Sequence, residues 1–104
     1  MLDPERYWPA NEDQLCVRLV EVTSQITELG IQYRDALVKQ RQSYYHTFST
    51  SVTTSVAGRE RDADLATLAE WAAVQDIRCE LMNLKHERKL LLKLLDVNDA
   101  RRKR

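Results

Sequence analysis

Arg34, Lys39 and Arg41 alternate with Tyr33, Tyr44, Tyr45 and Phe48. Cations interleaved with flat rings are the chemistry that holds a single nucleic-acid strand: charge neutralises phosphates while rings stack on bases. A second basic group, Lys85, Arg88, Lys89 and Lys93, precedes an acid-free run of Arg101, Arg102, Lys103 and Arg104. That run is the most accessible phosphate-seeking element of the chain. Each group also has a plainer reading. Tyr33, Tyr44 and Phe48 fall on an apolar stripe, so only Tyr45 is clear of core packing. The cations of the second group can instead pair with Glu12, Asp13, Glu21 and Glu28.

Catalytic patterning is thin. His46 and His86 have no second His or Cys at a metal-ligand spacing, so no metal or cofactor is expected. Cys16 and Cys79 fall on or beside apolar stripes and read as buried, inert thiols. The sequence has no glycine-rich phosphate loop, no nucleophile elbow and no paired-carboxylate helix motif. The chain reads as a non-enzyme.

The elements that must position these residues are helical. Two glycines and two prolines in 104 residues, with both prolines before residue 10, leave a chain nearly free of helix breakers. Sixteen basic and sixteen acidic residues cancel, so no global field draws the protein to nucleic acid or membrane. The charge is nonetheless polarised. From Arg78 onward there are nine Lys/Arg against four Asp/Glu, whereas residues 56–77 hold two against five. No apolar run approaches a membrane span, and no basic segment followed by an apolar core opens the chain. The expected location is the cytoplasm.

Residues 1–11 read as an N-terminal tail. Asp3-Pro4-Glu5 can start one helical turn, Trp8-Pro9 stops it, and Leu2, Tyr7 and Trp8 can pin the tail onto the helices. Asn11 followed by Glu12 and Asp13 is a helix start, with a capping side chain and acids favourable to the helix dipole. The first predicted helix covers 12–48. Its apolar stripe runs Leu15, Leu19, Val22, Ile26, Leu29 and Tyr33, with a stutter after Tyr33, and Gly30 beside the stutter predicts a bend or a close helix approach. Residues 49–55, Ser-Thr-Ser-Val-Thr-Thr-Ser, form helix poorly and are predicted to be the turn, with Thr54 or Ser55 capping the second helix. A short strand is the alternative there. Gly58 suits a loose start to that second predicted helix, 56–97. Asp96-Val97-Asn98-Asp99 is expected to fray, leaving 98–104 as a basic, mobile tail.

The second helix carries a seam of Val74, Ile77, Leu81, Leu84, Leu91 and Leu95 at near-heptad spacing. Beside it lies a second stripe containing Leu65, Leu68, Ala72, Cys79, Met82, Leu90 and Leu94. Two stripes exceed what one partner helix covers. One is expected to meet helix 1 and the other a second subunit, so Leu65, Leu68, Val74, Ile77, Leu81, Leu84, Leu91 and Leu95 are the predicted core and oligomer interface. The predicted fold is all-α: a long, coiled-coil-like antiparallel hairpin assembling into a homo-oligomeric helical bundle. Folding at about residue 52 sets Tyr33 near Trp71, Leu37 near Thr67 and Leu19 near Lys85, and keeps Cys16 and Cys79 apart, so no intrachain disulfide is expected.

Tyr33-Arg34-x-Ala36, Tyr44-Tyr45-x-x-Phe48, Ser55-Val56-Ala57-x-Arg59-Glu60-x-x-Ala63 and a charged, leucine-rich helix ending Leu94-Leu95-Asp96-Val97 together resemble a group of small helical proteins encoded by bacteriophages. The resemblance covers about residues 33–97. Such proteins lie among replication and recombination genes, so the resemblance implies a small accessory factor acting with DNA-handling proteins. The chain is also loosely similar to phage recombination mediators, which are oligomeric and bind single strands. The function expected is an oligomeric accessory protein that holds single-stranded DNA through Arg34, Lys39, Arg41, Tyr45 and the second basic group, arrayed in several copies so that avidity raises affinity. The rival expectation is a protein–protein module, an inhibitor or adaptor of a host protein, that never touches nucleic acid. The partners expected are the chain itself, single-stranded DNA, and a recombination or host protein.

Overall fold

A computed structural model describes residues 12–102, with side chains through Arg101. The tail of residues 1–11, the Asn11 cap, Lys103, Arg104 and the Arg102 side chain lie outside the described residues. The described chain forms three α-helices: α1 Glu12–Thr50, α2 Val56–Ala66 and α3 Leu68–Arg102. No strand occurs among the described residues, so the fold is all-helical. Two compact units divide it. One takes residues 12–29 and 80–102, the other Gly30–Cys79.

The first unit is held by apolar side chains that helical periodicity sets on one face. Leu15, Val22 and Leu91 are buried, and Leu19, Ile26, Leu84, Leu94 and Leu95 pack around them. Each fully buried Leu or Val contributes about 1.5–3 kcal/mol. A carboxylate is drawn into this contact. Glu87 is only 6% exposed, and the Arg18 guanidinium grips it twice, Nε donating to Oε1 at 2.6 Å and Nη2 to Oε2 at 3.0 Å. Arg18 Nη1 also donates to Glu21 Oε2 at 3.2 Å. The charge pairing expected between helices has the opposite sense: no ion pair joins Asp13, Glu21 or Glu28 to Lys85, Arg88, Lys89 or Lys93 among the described residues.

In the second unit, α1 continues through Ser49 and Thr50, two residues past the expected end. The hydroxyls that weaken a helix here donate to its own carbonyls, Ser49 Oγ to Tyr45 O at 2.7 Å and Thr50 Oγ1 to His46 O at 2.9 Å. Gly30 interrupts nothing, and a Cβ placed there would meet no atom within 4 Å. The expected close helix approach at Gly30 is therefore absent.

The connection, residues 51–55, is ordered by one acid. Asp62 Oδ2 accepts from Ser51 Oγ at 2.6 Å and from Thr53 Oγ1 at 2.8 Å, while Arg59 Nε donates to Thr53 O at 2.8 Å. Ser55 is the N-cap of α2, its Oγ accepting from the Gly58 amide at 3.1 Å. Gly58 is a packing requirement rather than a loose start, because a Cβ there would lie 2.2 Å from Thr53 Cγ2. Thr53 cannot rotate away without giving up Asp62. Gly58→Ala is therefore expected to destabilise the protein by about 1–2 kcal/mol, whereas Gly30→Ala, in open helical surroundings, should stabilise it by about 0.5–1 kcal/mol. Urea unfolding of the two variants checks the opposite signs.

The hydrogen bonds from Ser51 and then Thr53 hold the Asp62 carboxyl below its ordinary pKa, with Arg61 adding a smaller push downward against partial burial. A depressed acid stabilises the fold fully above its unfolded value, about pH 4, and loses that contribution as pH falls further. Amide protection of residues 51–55 should decay in acid below that value. Asp62→Asn should lower the protection at neutral pH and remove its acid dependence, as hydrogen exchange would report.

The helix expected over 56–97 is broken once, at Thr67. This buried residue donates to Ala63 O through both its amide, at 3.1 Å, and its hydroxyl, at 2.8 Å. Its backbone, at φ −108° and ψ 12°, leaves helical values and ends α2, and α3 restarts with the Trp71 amide donating to Thr67 O at 2.9 Å. Ala63 and Val74 are the fully buried apolar residues of this unit. At the other end, α3 runs through Asp96-Val97-Asn98-Asp99 to Arg102, so the expected fraying does not occur, and Ala100 and Arg101 are helical.

Candidate interaction surfaces

The predicted seam faces inward. Val74, Leu81 and Leu91 are buried, and Ile77, Leu84 and Leu95 are half-buried. Leu65 and Leu68 do not join it and stand 63% and 62% exposed. Counted in sevens back from Val74 and Ile77, the inward positions are Thr67, Glu70 and Ala63, which are buried or half-buried, so Leu65 and Leu68 fall on the neighbouring outward stripe. Most of the second stripe is exposed as well: Ala72, Cys79 and Met82 face solvent, while Leu90 and Leu94 are half-buried. Cys16 and Cys79 are exposed free thiols, not the buried ones expected.

On α1 within the second unit, the rings divide as the plainer reading has it. Tyr33, Tyr44 and Phe48 are half-buried and Tyr45 is 65% exposed. Tyr44 and Tyr45 meet edge to face, with centroids 5.6 Å apart. Arg34, Arg41 and Tyr45 share one exposed row with Ile31 and Val38, since steps of three, four, three and four residues return to the same side of a helix. Lys39 is exposed but falls off that row. The charge pattern around 31–45 is legible in sequence, whereas nothing in the residue types of Ile31 and Val38 marks them as exposed, since an apolar side chain is equally at home on the buried stripe.

The side of α1 that carries Gln40 and Tyr44 forms a groove of about 350 Å³ with Asp64, Thr67, Leu68 and Trp71. It is acidic. Partial burial pushes the Tyr44 hydroxyl above its ordinary pKa, and the Asp64 and Glu60 carboxylates, then Tyr45, push it the same way. Neither acid has an ion-pair partner among the described residues. Close by in sequence, Glu70 Oε2 is buried without a hydrogen bond. Thr67-x-x-Glu70 has the spacing of a capping box, but Thr67 spends its hydroxyl on Ala63 O, and the box is not made.

In the first unit, Lys85, Lys89 and Lys93 are exposed at four-residue intervals on α3, beside exposed Met82 and Leu92. Arg88 is half-buried, and none of these four cations has a carboxylate partner among the described residues. Arg101 is exposed near the end of α3. His46 and His86 are both exposed. No group of three His, Cys, Asp or Glu among the described residues could hold a metal, and no described helix is long and apolar enough to cross a membrane. The chain matches no protein-family model, no curated protein and no solved structure.

Proposed function

We propose that this chain is a non-enzymatic accessory protein, an antiparallel helical hairpin that works as a homo-oligomer and presents its surface to other macromolecules. The observation that carries the reading is the balance of apolar residues. Thirteen large hydrophobic residues are exposed among the described residues, against five buried ones, Leu15, Val22, Val74, Leu81 and Leu91. Isolated exposed hydrophobics are ordinary, but Ile31 and Val38, or Leu65 and Leu68, stand in rows, and rows of this kind mark interaction surfaces. Light scattering across a concentration series tests it: a dimer or larger species is expected, and a monomer at high concentration rejects it.

A second reading, single-stranded DNA held by the oligomer, is supported by Lys85, Arg88, Lys89 and Lys93, which have no carboxylate partner among the described residues, on a chain of zero net charge. Several copies would array these weak cationic sites, and the resemblance to phage accessory proteins points the same way. Anisotropy of a labelled oligonucleotide should rise at low salt, fall as salt is added, and respond less to Lys89→Glu. Absence of binding at low salt leaves protein–protein association alone, as with an inhibitor or adaptor.

A further inference from the structure

The second unit carries two surfaces whose chemistry is complementary, and neither finds its charge partners among the described residues. The first is the exposed α1 row, an apolar spine of Ile31 and Val38 flanked by Arg34 and Arg41 and ending at Tyr45. Fourteen residue steps give it a length of about 21 Å. Neither arginine has a hydrogen-bond or ion-pair partner among the described residues. The second is the groove of Gln40, Tyr44, Asp64, Leu68 and Trp71, with Glu60 beside Tyr44. It offers carboxylates and two ring systems, the environment that accepts a guanidinium through charge and through the faces of aromatic rings. Exposed Leu65 and Leu68 border it with apolar surface.

We propose that a second copy of this chain docks its basic α1 row into the acidic, aromatic groove of the first. The proposal rests on the self-association reading above and names the surfaces that perform it. Charge decides the geometry. Two α1 rows placed face to face would set Arg34 and Arg41 against their own kind, and two grooves would oppose Glu60 and Asp64; like charges across an interface cost affinity. The favourable contact joins unlike surfaces, so it is heterologous, and each docked copy still offers one free row and one free groove. Such contacts close into rings or continue as open chains.

Complementary charge reversal tests this. R34E/R41E destroys the row and leaves the groove, while E60K/D64K destroys the groove and leaves the row. Each variant alone should associate at least tenfold more weakly than the parent chain. Mixed in equal amounts, they should regain association, because the intact row of one meets the intact groove of the other and the two reversed surfaces, one acidic and one basic, attract as well. Light scattering reads the mass and circular dichroism verifies helix content. If either charge reversal lowers the helix signal, Val38→Ser and Leu68→Ser probe the same surfaces through exposed residues. Variants that assemble like the parent, or a mixture that stays monomeric while the parent assembles, overturn this interface but not self-association. A monomeric parent chain removes both.

Discussion

Leu91→Ala should lower the unfolding free energy by about 2–5 kcal/mol, the range for deleting a fully buried leucine whose surroundings collapse only in part. Leu91 has no exposed surface and joins Leu15 and Val22 in the core of the first unit, with Leu84, Leu94 and Leu95 around them. The loss is a large part of the roughly 5–15 kcal/mol that holds a natural domain together. The neighbouring residue supplies the control. Leu92 is substantially exposed, so Leu92→Ala removes little buried area and should cost under about 1 kcal/mol. Denaturant titrations at one fixed protein concentration compare the two, because association would otherwise stabilise the folded state to different extents. Equal losses would mean that α3 packs in a different rotation.

Arg18→Ala should destabilise by about 2–4 kcal/mol, well beyond the small effect expected of a surface arginine. The asymmetry of the pair produces this. Arg18 is partly open to solvent, whereas the Glu87 side chain is nearly covered. Losing the two guanidinium bonds leaves a carboxylate with a desolvation cost and less to offset it. The exposure of Arg18 keeps the estimate below the upper range for fully buried pairs. Arg18→Met with Glu87→Met should recover most of the loss, since removing both charges removes the desolvation cost with them. Calorimetry or urea unfolding of the single and double variants reads the coupling. A single variant as stable as the parent would show that the pair contributes nothing.

The two effects are not equally visible in the sequence. Leu91 belongs to a seam whose spacing announces an inward face, and Val74, Ile77, Leu81, Leu84 and Leu95 share that inward face. Arg18 and Glu87 carry no such mark. Both helices are rich in charge, and which acid meets which base depends on how each is rotated about its axis. The acids of α1 and the lysines of α3 are opposite in sign, yet a cation of α1 and an acid of α3 make the contact. The candidate surfaces divide in the same way. Tyr45 is the exposed ring because it alone leaves the buried stripe of α1, which spacing reveals. The groove beside it needs Gln40 and Tyr44 to meet Asp64 and Trp71, residues about twenty or more positions apart whose meeting no local pattern specifies.

Helix content, the Ser55 cap and the inward seam all arise from preferences that act within a few residues: backbone propensity, a capping hydroxyl, and periodic avoidance of water. The burial of Glu87 against Arg18, 69 positions away, and the groove that sets Tyr44 with Asp64 and Trp71 arise only when distant segments press together. A carboxylate that loses its water and a ring set beside distant acids are consequences of contact. Free energies of one or two kcal/mol at such contacts outweigh the tenths contributed by local preference, so the tertiary arrangement sets them.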